Sequence, residues 1–236
     1  MLRGWRPAAI GCVIACAVIG LLAGCGSLRQ IGAGAHAGPA TTFTVTARVT
    51  TLVVHGGTGS ITVTGTGHGT ILVSQRASYS KTPPAATHVV SGTTLTLGYT
   101  CPAQLVCGMA YDVQVPRGVE VRADATAGAI TLISLAGSVT ARTSAGLISA
   151  TRLSSRTADL KSKAGGIDAA FTAAPGSVHA STNVGPITIN VPGSASYQIQ
   201  THTYVGTSTV TVPKDAASPH AITASSDLGS ITISPS

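Results

Sequence analysis

Residues 121–149 read VRADATAGAITLISLAGSVTARTSAGLIS. Two copies of one short pattern stand in this stretch, Thr126-Ala127-Gly128-Ala129-Ile130-Thr131 and Ser144-Ala145-Gly146-Leu147-Ile148-Ser149. Looser copies follow at 163–168, 183–188, 204–209 and 227–232, and an early one lies at 57–62. The anchoring glycines are Gly59, Gly128, Gly146, Gly165, Gly185, Gly206 and Gly229. From Gly128 onward they step by 18, 19, 20, 21 and 23 residues, about the length of one solenoid coil.

Alignment on these glycines sorts the chain into columns. Seven residues before each stand Val121, Val139, Ala158, Val178, Ile199 and Ile222, and five before stand Ala123, Ala141, Leu160, Ala180, Thr201 and Ala224. Two after come Ile130, Ile148, Ile167, Ile187, Ser208 and Ile231. Positions two apart on a strand share a face, so these mostly apolar columns face one interior. The alternate columns are polar, including Asp124, Arg142, Lys161, Ser181, His202 and Ser225 four before the glycine. A one-residue slip would turn a buried Val or Ile to solvent, so the register is fixed. A β-sandwich also alternates, but it gives no reason for six equivalent columns. The expected fold is therefore all-β: a β-solenoid resembling a parallel β-helix, with coils of about 18–23 residues, each one β-spacing above the last. The glycine falls where the backbone turns with positive φ between two strands. The alternating stretches 41–54, 60–64, 70–79, 88–98 and 111–115 read as irregular capping coils of the same unit, as solenoid ends require.

Composition agrees. Of 236 residues, 44% are hydrophobic, only 9% are charged and 3% are aromatic. High hydrophobicity with low charge excludes a disordered chain. Only one apolar run is long enough to consider as a span, and it lies at the N-terminus, which excludes a helical membrane protein of several spans. The formal charge is +7. Without Arg3 and Arg6, which belong to the leader described next, the 14 basic residues fall to 12 against 7 acids, or +5. That is compatible with anionic partners but too diffuse for nucleic acid, and no basic-aromatic motif for stacking bases is present.

Arg3 and Arg6 precede an almost wholly apolar run, 8–23, which reads as a secretory signal. It ends in Leu22-Ala23-Gly24-Cys25, which resembles the lipobox of bacterial lipoproteins. That resemblance implies cleavage before Cys25 and a diacylglyceryl group on its thiol, with palmitate-type chains holding the protein to the membrane. Two acyl chains suffice for stable anchoring. The expected organisation is a signal peptide at 1–24, a lipidated Cys25 with a flexible Gly- and Ala-rich tether over 25–40, and the β-solenoid over 41–236.

The run Tyr111-Asp112-Val113-Gln114-Val115-Pro116-Arg117-Gly118-Val119, the Gly-x-Ile-Thr repeats and the terminal Gly229-Ser230-Ile231-Thr232-Ile233 resemble the "putative adhesin" domains of unknown function, also called toastrack domains, over roughly residues 43–233. The resemblance implies a β-helix at the cell surface with no established activity and no catalytic residues to carry over. Family copies often have Asp after the glycine, where this chain has Ala129, Leu147, Pro186 and Ser230.

Chemistry is sparse. The acids are Asp112, Glu120, Asp124, Asp159, Asp168, Asp215 and Asp227. By column, Asp124 neighbours Arg142, which reads as an exposed cross-strand ion pair. Asp159 lies one coil from His179, with no third group to complete a site. Ser78-Tyr79-Ser80-Lys81 matches S-x-x-K, but it follows a strand and runs into Pro83-Pro84 without the companion motifs. The seven His are scattered and carry no zinc-ligand spacing. Cys101 and Cys107, in a turn-rich stretch of an exported chain, are expected to form a disulfide. Arg142 and Lys161 share a column, with Lys163 two residues along the same face. Like charges on adjacent coils repel, which makes these three a candidate anion-binding row.

The functional expectation is a non-enzymatic, lipid-anchored binding or scaffold module of the envelope, adhesin-like, on the outer face of the cell membrane of a Gram-positive actinobacterium. It uses no cofactor or metal. Its partners are the membrane, through the lipid, and an anionic envelope polymer, lipid or surface protein, not nucleic acid. The alternatives are an envelope-stress sensor or ligand-binding accessory protein, and a β-helix carbohydrate-active enzyme. The enzyme would need paired acids in a groove and aromatic sugar platforms.

Overall fold

A computed structural model describes residues 34–236. The leader, Cys25 and the first part of the tether lie outside the described residues. The chain is a succession of strands, with no helix among the described residues. Seven come first: β1 (His36–Val45), β2 (Thr51–Thr58), β3 (Ile61–Thr66), β4 (Ile71–Tyr79), β5 (Ala85–Ser91), β6 (Thr94–Thr100) and β7 (Cys107–Pro116). The glycine repeats then supply strand pairs. These are β8 (Glu120–Ala127) with β9 (Ile130–Ile133), β10 (Val139–Ala145) with β11 (Ile148–Leu153), and β12 (Thr157–Ala164) with β13 (Ile167–Phe171). Then follow β14 (Ser177–Val184) with β15 (Ile187–Val191), β16 (Gln198–Val205) with β17 (Ser208–Val210), and β18 (Ala221–Leu228) with β19 (Ile231–Pro235).

Each pair breaks at its glycine and contributes one strand to each of two sheets. The ten-stranded sheet runs β1-β4-β7-β3-β9-β11-β13-β15-β19-β17, and the nine-stranded sheet runs β5-β6-β2-β8-β10-β12-β14-β18-β16. Antiparallel pairing is confined to one end, at β1–β4, β4–β7 and β5–β6. The other ladders are parallel, and the columns meet in register: Val139 pairs with Val121 and Ala158, and Ile148 with Ile130 and Ile167. Val121, Ala141, Leu160, Ile148 and Ile187 are fully buried between the sheets.

The coils do not stack in chain order, which corrects the expectation that each lies above the last. β18 and β19 lie between β14–β15 and β16–β17, so the penultimate repeat in sequence is the outermost in space. The reason lies in the columns. Ile222, Ile231 and Ile233 are fully buried in the inserted coil, where each contributes about 1.5–3 kcal/mol. In the displaced coil Ser208 pairs with Ile231 and Thr201 with Ala224, so two polar side chains stand in the inward columns. At the end of the stack their hydroxyls hydrogen-bond each other at 2.9 Å instead of being sealed into the core. The other end is also out of order. β2–β3 stack directly on β8–β9, and β6–β7, which follow later, lie outside them. β1 begins at His36, so residues 36–40, expected in the tether, lie along β4 instead. Gly38 and Pro39 mask that strand in the sequence, and the pairing shifts register between Ala37 and Ala40.

The repeat glycines have φ between 137° and 156°, a conformation that side chains rarely adopt. They also stack. A Cβ added to Gly165 would lie 2.1 Å from the carbonyl oxygen of Gly146, and one on Gly146 would lie 2.2 Å from that of Gly128.

A further inward column consists of hydroxyls. Three residues before the glycine, Thr143, Ser162, Thr182 and Ser226 are almost fully buried. They donate to the carbonyl oxygens of Gly128, Gly146, Gly165 and Gly185 at 3.3, 3.2, 2.9 and 3.0 Å. Thr203 donates to Gly229 at 2.9 Å, in keeping with the exchanged coil order. Each hydroxyl thus satisfies a buried turn carbonyl, which would cost about 1–3 kcal/mol if left unpaired.

Candidate functional site

The outer face of the nine-stranded sheet carries the candidate row. Arg142 on β10 lies opposite Asp124 on β8 and Lys161 on β12. The expected Asp124–Arg142 pair does not form. Arg142 Nη2 bonds Asp159 Oδ2 at 2.8 Å, and Lys161 Nζ lies 3.2 Å from Asp159 Oδ1. Asp159 stands two residues before Lys161 on the same face of β12 and diagonally across from Arg142. It is more enclosed than Asp124, so the same ion pair is less screened by water there. Asp124 instead lies 3.9 Å from Nδ1 of His55, its register partner on β2.

The repulsion between Arg142 and Lys161 is therefore already relieved, because Asp159 is an internal counter-ion. Its Oδ1 is buried and, though close to Lys161, makes no well-aligned hydrogen bond. Lys163, two residues along β12, is exposed and makes no ion pair among the described residues. Arg142, Lys161 and Lys163 line one shallow depression of about 430 Å³, together with Asp124, Ser181 and Asn183. The structure thus brings the three cations together on one face with two carboxylates, Asp159 held by Arg142 and Lys161 and Asp124 lining the same depression.

Asp159 and His179 are register partners on β12 and β14, as the columns imply. No bond joins them, and the Asp159 carboxylate is turned to Arg142 and Lys161 instead. Among the described residues, no group of three His, Cys, Asp or Glu is placed to hold a metal ion. Ser78 lies in β4, paired to Gly108, and Lys81 follows in the turn, so the S-x-x-K stretch has no helix on which Lys could return to Ser. The phenols of Tyr111 and Tyr197 are buried in the core, and burial raises the pKa of both. Each donates to a backbone carbonyl, that of Gly98 or Pro192, at 2.8 Å. Both are structural anchors.

Cys101 and Cys107 are bonded, with Cα atoms 6.0 Å apart. Their loop has a role the sequence did not disclose. It presents Gln104, whose Oε1 accepts the backbone N–H groups of Lys81 and Thr82 at 2.9 and 3.0 Å. Its Nε2 donates to Thr82 O at 2.7 Å. The loop therefore clamps the β4–β5 turn, and only its polar, turn-rich composition hinted at such a partner.

No family model matches the chain, and no curated protein matches it. Among solved structures, a "putative cell adhesion protein" from Clostridium sporogenes is similar at 14% identity, over 84% of this chain and 99% of that one, with a TM-score of 0.53. A "putative adhesin" from Bacteroides fragilis is similar at 16% identity over 84% and 97%, with a TM-score of 0.46. What the chain shares with the Clostridium protein is its fold, an all-β architecture of two parallel-rich sheets.

Proposed function

We propose that the chain is a lipid-anchored, non-enzymatic binding module of the bacterial cell surface, with an adhesin-like role on a β-solenoid. One observation carries the binding reading: Arg142 and Lys161 are fixed one strand apart on a rigid outer face, over a depression that Lys163 also lines. The ligand class is an anionic envelope polymer whose phosphates or carboxylates compete with Asp159 for the two cations. The name of the Clostridium protein supports a surface role. Support for anchoring comes from Leu22-Ala23-Gly24-Cys25 at the end of the apolar leader.

Two experiments test this reading. In the first, full-length chain in detergent micelles is titrated with a poly(glycerol phosphate) across a salt series. Binding should weaken as salt rises, because exposed charges are screened within about 8 Å at physiological ionic strength. Asp159→Asn should bind about three- to fivefold more tightly, the factor set by releasing an exposed pair worth up to ~1 kcal/mol. Adding Arg142→Gln and Lys161→Gln to that variant should abolish the gain. Unchanged binding in Asp159→Asn would overturn the site. In the second, chain exported in a bacterial host should begin at a diacylated Cys25 and enter the detergent phase, and Cys25→Ser should lose the lipid mass. An unmodified terminus elsewhere would remove the anchor.

A further inference from the structure

Five exposed large side chains gather at one corner of the stack, where the strands of the two sheets meet at the repeat glycines. They are Leu147, Val184, Leu228, Val205 and Tyr204, exposed by 43%, 49%, 48%, 55% and 83%. The ladders connect them. Along the position just before each glycine, Ala145 pairs with Ala164, Ala164 with Val184, Val184 with Leu228, and Leu228 with Val205. In the position just after it, the Cδ1 of Leu147 and the Cγ of Pro186 both lie within 3.5 Å of where a side chain on Gly166 would begin. The result is one continuous apolar stripe across five coils, in the spatial order Gly146, Gly165, Gly185, Gly229, Gly206. Soluble surfaces mostly scatter such residues singly, so a contiguous row is a candidate contact, and its small area makes the flanking charges decisive.

The charges beside the stripe identify the partner. Two residues before each glycine, in that spatial order, stand Ser144, Lys163, Asn183, Asp227 and Tyr204. Lys163 and Asp227 are exposed, make no ion pair among the described residues, and lie one coil to either side of Asn183. A twofold axis through the middle coil, perpendicular to the stack and across the stripe, exchanges the Gly165 and Gly229 coils. It places Lys163 of one copy opposite Asp227 of the other, twice, and brings Val184 and Pro186 against their own symmetry mates. The Leu147 end then meets the Tyr204–Val205 end. A patch that is apolar along its midline and complementary in charge about its centre is self-complementary, as a twofold interface demands. We infer that this glycine corner is a homodimer contact, two copies lying antiparallel with stripe against stripe. The stripe measures roughly 20 Å by 10 Å from strand spacing. Pairing would then cover on the order of 400 Å², in the class of weak, transient contacts. The contact therefore forms at high local concentration, such as crowding on a surface provides.

The inference is independent of the proposed ligand. Ser144, Lys163 and Asn183 also line that depression, whereas the apolar stripe and Asp227 lie outside it. Its test is crosslinking of the full-length chain under mild oxidation, with linked peptides identified by mass spectrometry so that native cysteines do not interfere. Asn183 lies on the axis, so Asn183→Cys should link to its own copy at least tenfold more than Ser144→Cys, two coils away in the same column. In the Asn183→Cys background, Lys163→Asp or Asp227→Lys alone should cut the yield severalfold, and the two together should restore it, with melting curves checking that each variant folds. Equal linking from 144 and 183, or a charge swap that does not restore the yield, would overturn the dimer. So would a chain that never self-links but binds anionic phospholipid vesicles through the stripe, which would make the corner a lipid contact instead.

Discussion

Gly165→Ala is expected to lower the melting temperature by about 10 °C or more, followed by circular dichroism on the full-length chain. Two costs coincide at this residue. Its φ of 141° lies in a region nearly closed to side chains, worth about 1–3 kcal/mol. The added methyl would also press on the Gly146 carbonyl, an overpacking cost of similar size, about 1–3 kcal/mol. The crowded atom is backbone and cannot step aside, because Gly146 N–H is held by Ala164 O at 2.9 Å. A loss near 4 kcal/mol moves the melting temperature by about 2–4 °C per kcal/mol in a domain of this size. Gly118→Ala is the matched control. Nothing lies within 4 Å of its new methyl and its φ is ordinary, so the change should stay within about 0.5 kcal/mol. Equal melting curves for the two variants would show that the glycine column is not under strain.

Ending the chain at Ser218 is expected to abolish cooperative folding. In a stack built in chain order, loss of the last repeat would trim one end and spare the rest. Here it removes β18 and β19 from between two other coils. Ile222, Ile231 and Ile233 go with them, a burial worth about 5–9 kcal/mol, comparable to the whole stability of a typical domain. β16 and β17 could re-pair onto β14 and β15 only by setting Thr201 over Ala180 and Ser208 over Ile187. The measurement is soluble yield and a denaturant titration beside wild type. A truncated chain that unfolds cooperatively at the wild-type midpoint would refute the exchanged order.

The inward columns and the glycine turns were legible because their rules are local. A period of two assigns faces, and glycine marks a φ that other residues avoid. Coil order is not a local property, yet its trace was present. Thr201 and Ser208 were the polar members of otherwise apolar columns, which is the signature of a coil destined for an end. The hydroxyl column is hidden in the sequence for the opposite reason. Thr143, Ser162 and Thr182 look like solvent-facing residues, and only their repeated distance from the next glycine shows that they point inward. In the candidate row, the columns placed Arg142, Lys161 and Lys163 together but paired Arg142 with the wrong acid. Direct register favours Asp124, whereas a long guanidinium reaches diagonally to the more enclosed Asp159. The clamp made by Gln104 joins turns 22 and 23 residues apart, and no periodicity reports on such a contact.

The exchanged ends also constrain how such a protein can change its length over evolutionary time. A repeat duplicated after β19 would not lengthen the stack there, because β19 is already wedged between β15 and β17, with the Ser236 N–H held by Val191 O at 3.0 Å. Duplications that succeed should fall among the interior repeats, such as 147–165, where each unit begins and ends at the same corner and meets identical columns on both sides. Every copy added there would extend the molecule by about 4.8 Å and leave both caps untouched. Descendants of differing height should therefore vary in the middle of their sequences and agree at the two ends.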